Sequence, residues 1–157
     1  MKHIAFALLF VSAGAFAGPK TTIRCEKDGK NGQPGYARAN ISFEIETDIR
    51  TDLRTITDLR GEILAAYDKK EANSADAYIG TFAIKSAEEN PNYRPVKYKD
   101  SSQFQKIEAK ETRGPENSMW GSLIVPKKTT GSFEVHYIFQ AGDHMGGTIH
   151  MDCHAGY

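Results

Sequence analysis

Residues 37–53 have the sequence ARANISFEIETDIRTDL, in which apolar and polar side chains alternate almost without a break. The odd positions include Ile41, Phe43 and Ile45, and every even position is polar. Successive side chains of a strand point to opposite faces, so the pattern predicts a strand with one face toward a core and one toward water. The run is longer than most strands, and we therefore expect a bend or turn within residues 48–52.

Shorter alternating runs occur along the rest of the chain, separated by clusters of Gly, Pro, Asn and Asp. The clearest runs are residues 21–25, 78–84, 133–139 and 149–157, with further candidates at 93–98, 103–110 and 119–125. This spacing predicts an all-β fold, an antiparallel β-barrel or β-sandwich of about eight to ten strands. Residues 59–67 fit both helical and strand spacing; their neighbours favour a strand, with one short helix as the alternative.

The first 17 residues are typical of a signal peptide. Lys2 and His3 precede an apolar run over residues 4–13, and Ala15-Phe16-Ala17 matches a small-x-small cleavage site. We therefore expect residues 1–17 to be removed, residues 18–157 to form a single β-rich domain, and the protein to be exported, either periplasmic or secreted.

The two cysteines, Cys25 and Cys153, are the only ones in the chain and are separated by 128 residues. In an oxidising compartment they are expected to form one disulfide. Each lies on the apolar side of its alternating run, beside Ile23 and Met151 respectively. Since a disulfide needs Cα atoms within about 7 Å, the first and last strands must be neighbours or face each other across the core.

The charge balance excludes one class of partner. The chain has 20 basic and 20 acidic residues, whereas a nucleic-acid binder needs a strong basic excess. After the leader, no apolar stretch is long enough for a transmembrane helix. A transmembrane β-barrel, whose signal is alternation, stays open as an alternative, although stretches such as residues 93–98 and 103–110 lack the unbroken apolar face that it needs.

Histidines cluster at the end of the chain. His150, Asp152 and His154 alternate and share one face, and the apolar sets of the two last strands set a register that adds His136 and Glu134 to that face. Imidazole and carboxylate groups are zinc ligands. We take His136, His150, Asp152 and His154 as candidate metal ligands, against the simpler interpretation of a solvated polar strand face.

No residue of this sequence is assigned a catalytic role. It contains no Gly-x-Ser-x-Gly elbow and no phosphate-binding glycine loop, and a disulfide would leave no cysteine nucleophile. The expected disulfide, the neutral charge and the lack of a catalytic motif instead favour an exported binding module that takes a small ligand or a protein partner. A small outer-membrane β-barrel and a metal-dependent hydrolase are the alternatives. Trp120, the only tryptophan, is expected to pack in the core.

Overall fold

A computed structural model describes residues 17–31, 35–84, 94–97, 101–114, 118–143 and 145–156. Its strands are β1 (Ala17–Asn31), β2 (Gly35–Asp48), β3 (Arg54–Ala66), β4 (Tyr78–Ile84), β5 (Arg94–Lys97), β6 (Ser101–Glu108), β7 (Glu111–Arg113), β8 (Met119–Pro126), β9 (Ser132–Ala141) and β10 (Met145–Gly156). A single 3-10 turn, Glu71–Asn73, precedes β4 in this part of the chain. The predicted signal peptide lies outside the described residues except for Ala17, where β1 begins.

All the strands belong to one antiparallel sheet in the order β5-β6-β8-β9-β10-β1-β2-β3-β4-β7. Strands β6 and β7 are separated by only two residues, yet β6 pairs with β8 and β7 pairs with β4. Between them, the Ala109 N–H donates to the Met119 carbonyl and the Lys110 N–H donates to the Thr81 carbonyl. The sheet is therefore a curled half-barrel whose two sides are bridged by one segment. The predicted all-β fold is confirmed.

The alternation in β2 works as predicted. Ile41, Phe43 and Ile45 are buried, whereas Ser42 and Glu44 lie on the outer face. The largest fully buried side chains of the described residues fill the concave side: Tyr137, Phe43, Ile23, Ile41, Ile56, Ile63, Ile107, Leu123, Met145, Ile149 and Met151. Burying one such apolar side chain contributes about 1.5–3 kcal/mol. The concave side of the half-barrel is thus a packed core.

Residues 59–67 lie mostly in a strand, as their neighbours favoured, because β3 pairs with β2 on one side and β4 on the other. Their mixed periodicity has a packing cause. Leu59 and Ile63 face the main core, whereas Leu64 and Ala66 are buried on the outer face in a second cluster. That cluster also includes Tyr36, Ala72 and Ala77. Both faces of β3 are therefore apolar near its end, which removes the simple alternation.

The buried cation Arg54 connects two distant parts of the half-barrel through hydrogen bonds. Arg54, at the start of β3, is only 8 % exposed. Its Nη1 donates to the Pro126 carbonyl at 2.6 Å and its Nη2 lies 3.4 Å from Thr129 Oγ1. These bonds connect the start of β3 to the last residue of β8, 72 residues further along the chain, and to the segment that follows it. A buried guanidinium is tolerated because its hydrogen-bonding groups find such partners.

The predicted disulfide is confirmed. Cys25 of β1 lies directly opposite Cys153 of β10, with Cα atoms 4.1 Å apart, and both residues are fully buried. The first and last strands are therefore direct neighbours. Because they lie in the middle of the ten-strand order, this bond joins the two halves of the sheet.

The double variant Cys25→Ala/Cys153→Ala tests the contribution of this bond. We expect its free energy of unfolding to fall by about 2–4 kcal/mol, because the disulfide restricts the unfolded chain over a long loop. Urea denaturation of both proteins measures the difference. Reducing the native disulfide should destabilise the parent protein by a similar amount and leave the double variant unaffected; equal stability of parent and variant would contradict the prediction.

The predicted turn begins at Asp48, where β2 ends. Asp48 Oδ1 accepts the backbone N–H of Arg50 at 2.7 Å and that of Thr51 at 3.1 Å. These two bonds hold the pKa of the Asp48 carboxyl below its ordinary value. The ionised side chain thus stabilises the turn between β2 and β3.

Asp48→Asn gives a pH-dependent prediction, since asparagine keeps the acceptor oxygen but cannot ionise. A carboxyl whose pKa is lowered by folding stabilises the protein above its unfolded pKa, about 3.9 for aspartate. That contribution is lost as the pH falls through the lower folded value. We expect the difference in urea midpoint between parent and variant to be largest above about pH 4 and to vanish on further acidification. A constant difference at every pH would refute this.

Candidate metal-binding site on the outer face of β9 and β10

The β9–β10 hairpin presents two histidines side by side. Val135 and Tyr137 of β9 point into the core, and so do Ile149 and Met151 of β10. The residues between them therefore point outward. The strand register places His136 opposite His150 and Glu134 opposite Asp152. The face and the neighbours predicted from the sequence are both confirmed.

The side chains of Glu134, His136 and His150 converge. Glu134 Oε1 lies 2.5 Å from His136 Nε2 and 3.2 Å from His150 Nδ1, so one carboxylate oxygen contacts both imidazoles. The two ring centroids are 4.3 Å apart, with the planes tilted by 51°. The three side chains are between 36 % and 52 % exposed. This is a compact cluster that solvent reaches.

Hydrogen bonding favours the ionised form of the Glu134 carboxyl. The bond to His136 is the main cause that lowers the pKa of the Glu134 carboxyl, and the bond to His150 acts in the same direction. Partial burial opposes both effects but does not outweigh them. Glu134 is therefore anionic at neutral pH, the form that accepts hydrogen bonds and ligates cations.

The cluster has the chemistry of a divalent metal site. One ligand atom from each of Glu134, His136 and His150 lies within 4.8 Å of the others. Tetrahedral zinc with bonds of about 2.0–2.1 Å separates its ligand atoms by about 3.3 Å. The Glu134–His150 separation of 3.2 Å already matches this value, and the Glu134–His136 pair must widen by roughly 0.8 Å to reach it. Side chains that are between 36 % and 52 % exposed have room on their solvent side to make that change by rotation.

Two of the four predicted ligands belong to this cluster, and two do not. Asp152 is opposite Glu134 on the neighbouring strand but supplies no atom to the cluster. His154 Nδ1 instead lies 3.0 Å from Ser132 Oγ. Asp152 and His154 line a shallow cleft of about 450 Å³ that also includes Glu26, Lys27, Asp28, Ala39 and Asn40. Metal binding by His136, His150, Asp152 or His154 stays a prediction.

Glu134 is the ligand candidate that sequence reasoning passed over. The strand register predicts Glu134 on the histidine face, but the candidate ligands predicted from the sequence are His136, His150, Asp152 and His154. What distinguishes Glu134 is its position two residues from His136 and diagonal to His150, which lets one side chain contact both rings. Which carboxylate contacts the two rings depends on side-chain rotamers, and the alternation of a strand does not specify rotamers.

Trp120 is not in the core, and the prediction that placed it there was wrong. It is 46 % exposed on the outer face of β8. Met119, Leu123 and Val125 form the buried face of that strand, which leaves Trp120 and the half-buried Ile124 outside. Apolar residues on both faces concealed which face was inside. Ile138 of β9 is also 43 % exposed, so two large apolar side chains are exposed on the outer face near His136.

No protein-family model matches this chain, and no curated protein or solved structure is similar enough to count as a match. Within the residues that the structure describes, no helix has the length and apolarity required to cross a membrane.

Trp120 provides a direct test of which β8 face is outside. As the only tryptophan in the chain, it reports its own environment in fluorescence. We expect native emission close to that of a solvated indole and ready quenching by acrylamide, because almost half of the side chain is exposed. The urea-unfolded protein gives the limit for full exposure. Blue-shifted emission that resists quenching would show that Trp120 is packed in the interior.

Proposed function

We propose that this protein is an exported binding protein that holds a divalent transition-metal ion on the outer face of β9 and β10. The observation that supports this most is the convergence of one carboxylate and two imidazoles within 4.8 Å. Glu134, His136 and His150 are the proposed ligands, and zinc is the ion chosen for the test. Three protein ligands leave one position of a tetrahedral ion open.

The packed interior favours an external site over a ligand held inside the barrel. Phe43, Tyr137 and Met151 are almost completely buried in the concave side of the sheet. Tyr137 also packs edge-to-face against Phe82, with ring centroids 5.7 Å apart. The outer face is solvent-exposed, and the packed core holds in place the strands that carry its side chains. Such support reduces the ordering that a ligand must impose.

Export is supported by two independent features. The first 17 residues have the pattern of a signal peptide. Separately, Cys25 and Cys153 are joined in a disulfide, a bond that persists in oxidising compartments such as the periplasm or the extracellular space. We therefore propose a periplasmic or secreted location.

Charged residues on the outer face favour this proposal over an outer-membrane barrel. Arg24 and Glu26 of β1 and Arg60 of β3 are exposed. A basic residue that faces lipid at mid-depth costs about 2–4 kcal/mol, and the apolar side chains here line the inside instead. The hydrolase alternative shares the proposed zinc ligands. The three clefts described on this surface are lined by other residues than His136 and His150, and no arrangement of the described residues assigns a catalytic role.

Zinc titration of untagged protein tests the proposal. We expect one zinc ion per chain by calorimetry and a rise in melting temperature, because a ligand that binds the folded state alone stabilises it by about 2.7 kcal/mol at 100 times its Kd. His150→Ala should weaken binding at least tenfold, since it removes one of three ligands. Acidification should also weaken binding, because protons compete for the imidazole nitrogens.

His154→Ala is the matched control. It removes the same side chain from the same face of the same strand, but His154 contacts Ser132 rather than the cluster. We expect its zinc affinity to equal that of the parent protein. The proposal fails if zinc leaves the melting temperature unchanged, or if His150→Ala and His154→Ala weaken binding equally.

A further inference from the structure

The outer faces of β8, β9 and β10 form an ordered array around the proposed metal site. Strand pairing aligns their outward residues in rows that run across the strands. The row at the metal is Ile124, His136 and His150; the next is Ser122, Ile138 and Thr148; and the third is Trp120, Gln140 and Gly146. On the other side of the metal row, Glu134, Asp152 and Glu26 form an acidic row that extends to β1. Each row differs from the next in chemistry.

Each of the two rows next to the metal row contains one exposed apolar side chain. Ile138 and Trp120 are 43 % and 46 % exposed. Ser122 and Thr148 are the cross-strand neighbours of Ile138, whereas Gln140 lies between Trp120 and Gly146. Ile138 and Trp120 are therefore two separate apolar contact points on a mixed surface beside the metal row.

The acidic row places like charges next to each other. Glu134 is opposite Asp152, and Asp152 is opposite Glu26 on β1. Directly opposite like charges destabilise a sheet. A positively charged partner group at this row would relieve the repulsion and gain favourable Coulomb energy. The charge complementarity thus favours a basic residue on the acidic side of the metal.

The spacing of the rows matches an extended peptide. Outward residues of a strand recur every second residue, roughly 6.8 Å apart. His136, Ile138 and Gln140 mark successive rows on β9, with Glu134 one step before them. An extended peptide has the same period, so its alternate side chains can meet the acidic, metal, isoleucine and tryptophan rows in turn.

We propose that the binding partner is an extended peptide segment with a basic residue, an imidazole and two apolar residues at alternate positions, as in Lys-x-His-x-Leu-x-Leu. The inference rests on the proposed metal site, because the peptide imidazole completes the coordination of the ion. The basic residue pairs with Asp152 and Glu26, which lie beside the ligand Glu134 in the acidic row. The two leucines lie against Ile138 and Trp120.

Fluorescence anisotropy with a defined probe tests this. The probe is acetyl-Lys-Thr-His-Thr-Leu-Thr-Leu-amide with a fluorescent label, added to protein loaded with one equivalent of zinc. We expect saturable binding that chelation with EDTA abolishes. Replacing the peptide histidine by alanine, or both leucines by serine, should weaken binding at least tenfold. Binding should also change the emission of Trp120.

Protein variants distinguish peptide binding at Ile138 from nonspecific hydrophobic binding at any exposed isoleucine. Ile138→Ser should weaken peptide binding about tenfold while zinc affinity, measured by calorimetry, stays unchanged. Ile49→Ser is the control, because Ile49 is a 67 % exposed isoleucine in the turn after β2, away from this face. It should bind the probe as the parent protein does.

The outcomes distinguish this inference from the proposed function. Zinc binding without peptide binding, or peptide binding unaffected by the leucine and Ile138 changes, overturns the peptide inference alone. Zinc-dependent dimerisation in size-exclusion chromatography, without capture of the probe, also overturns it, because a second copy would then be the occupant. Failure of zinc to bind in calorimetry overturns both.

Discussion

The pairing of β1 with β10 is the contact on which the rest of the sheet depends. Along the sheet, β1–β4 form one run of neighbouring strands and β8–β10 form another, and this pair joins them. The Cys25–Cys153 bond lies directly on the join, buried among core side chains. Without the pair, each run would expose a strand edge and one side of its apolar face to water. The join therefore creates both the continuous core and the continuous outer surface.

The packing of that core determines which residues lie on the outer surface and which of them are neighbours. Tyr137 and Met151 point into the core, so the alternation of each strand directs the adjacent His136 and His150 to the outer face. The register then places these two histidines opposite each other. Glu134 then contacts both rings and stays ionised. A site on two paired strands is held more firmly than one on loops. Residues that alternate with buried ones lie on the outer face, and these three side chains are between 36 % and 52 % exposed there.

Much of the fold could be predicted from alternation, and the exceptions share a cause. The β2 pattern specified its buried and exposed faces because only one face is apolar. At β3 and β8 both faces hold apolar residues, for different reasons: Leu64 is covered by a second cluster, whereas Trp120 is left exposed. Sequence alone cannot distinguish covered from exposed residues on the outer face, because their exposure depends on which other segments of the chain pack over the strand. The candidate site was predictable as a face, but its membership was not, because rotamers select Glu134 over Asp152.

The position of β10 has a consequence for how the chain reaches its native state. β1 is made first, yet one of its two neighbours, β10, is the last strand of the described chain. Until Cys153 and its flanking residues emerge, β1 retains an unpaired edge, a known template for aggregation. Contacts this distant in sequence also slow folding. The nascent polypeptide therefore keeps this edge open until its last described strand is available, and the Cys25–Cys153 disulfide can form only from that point on.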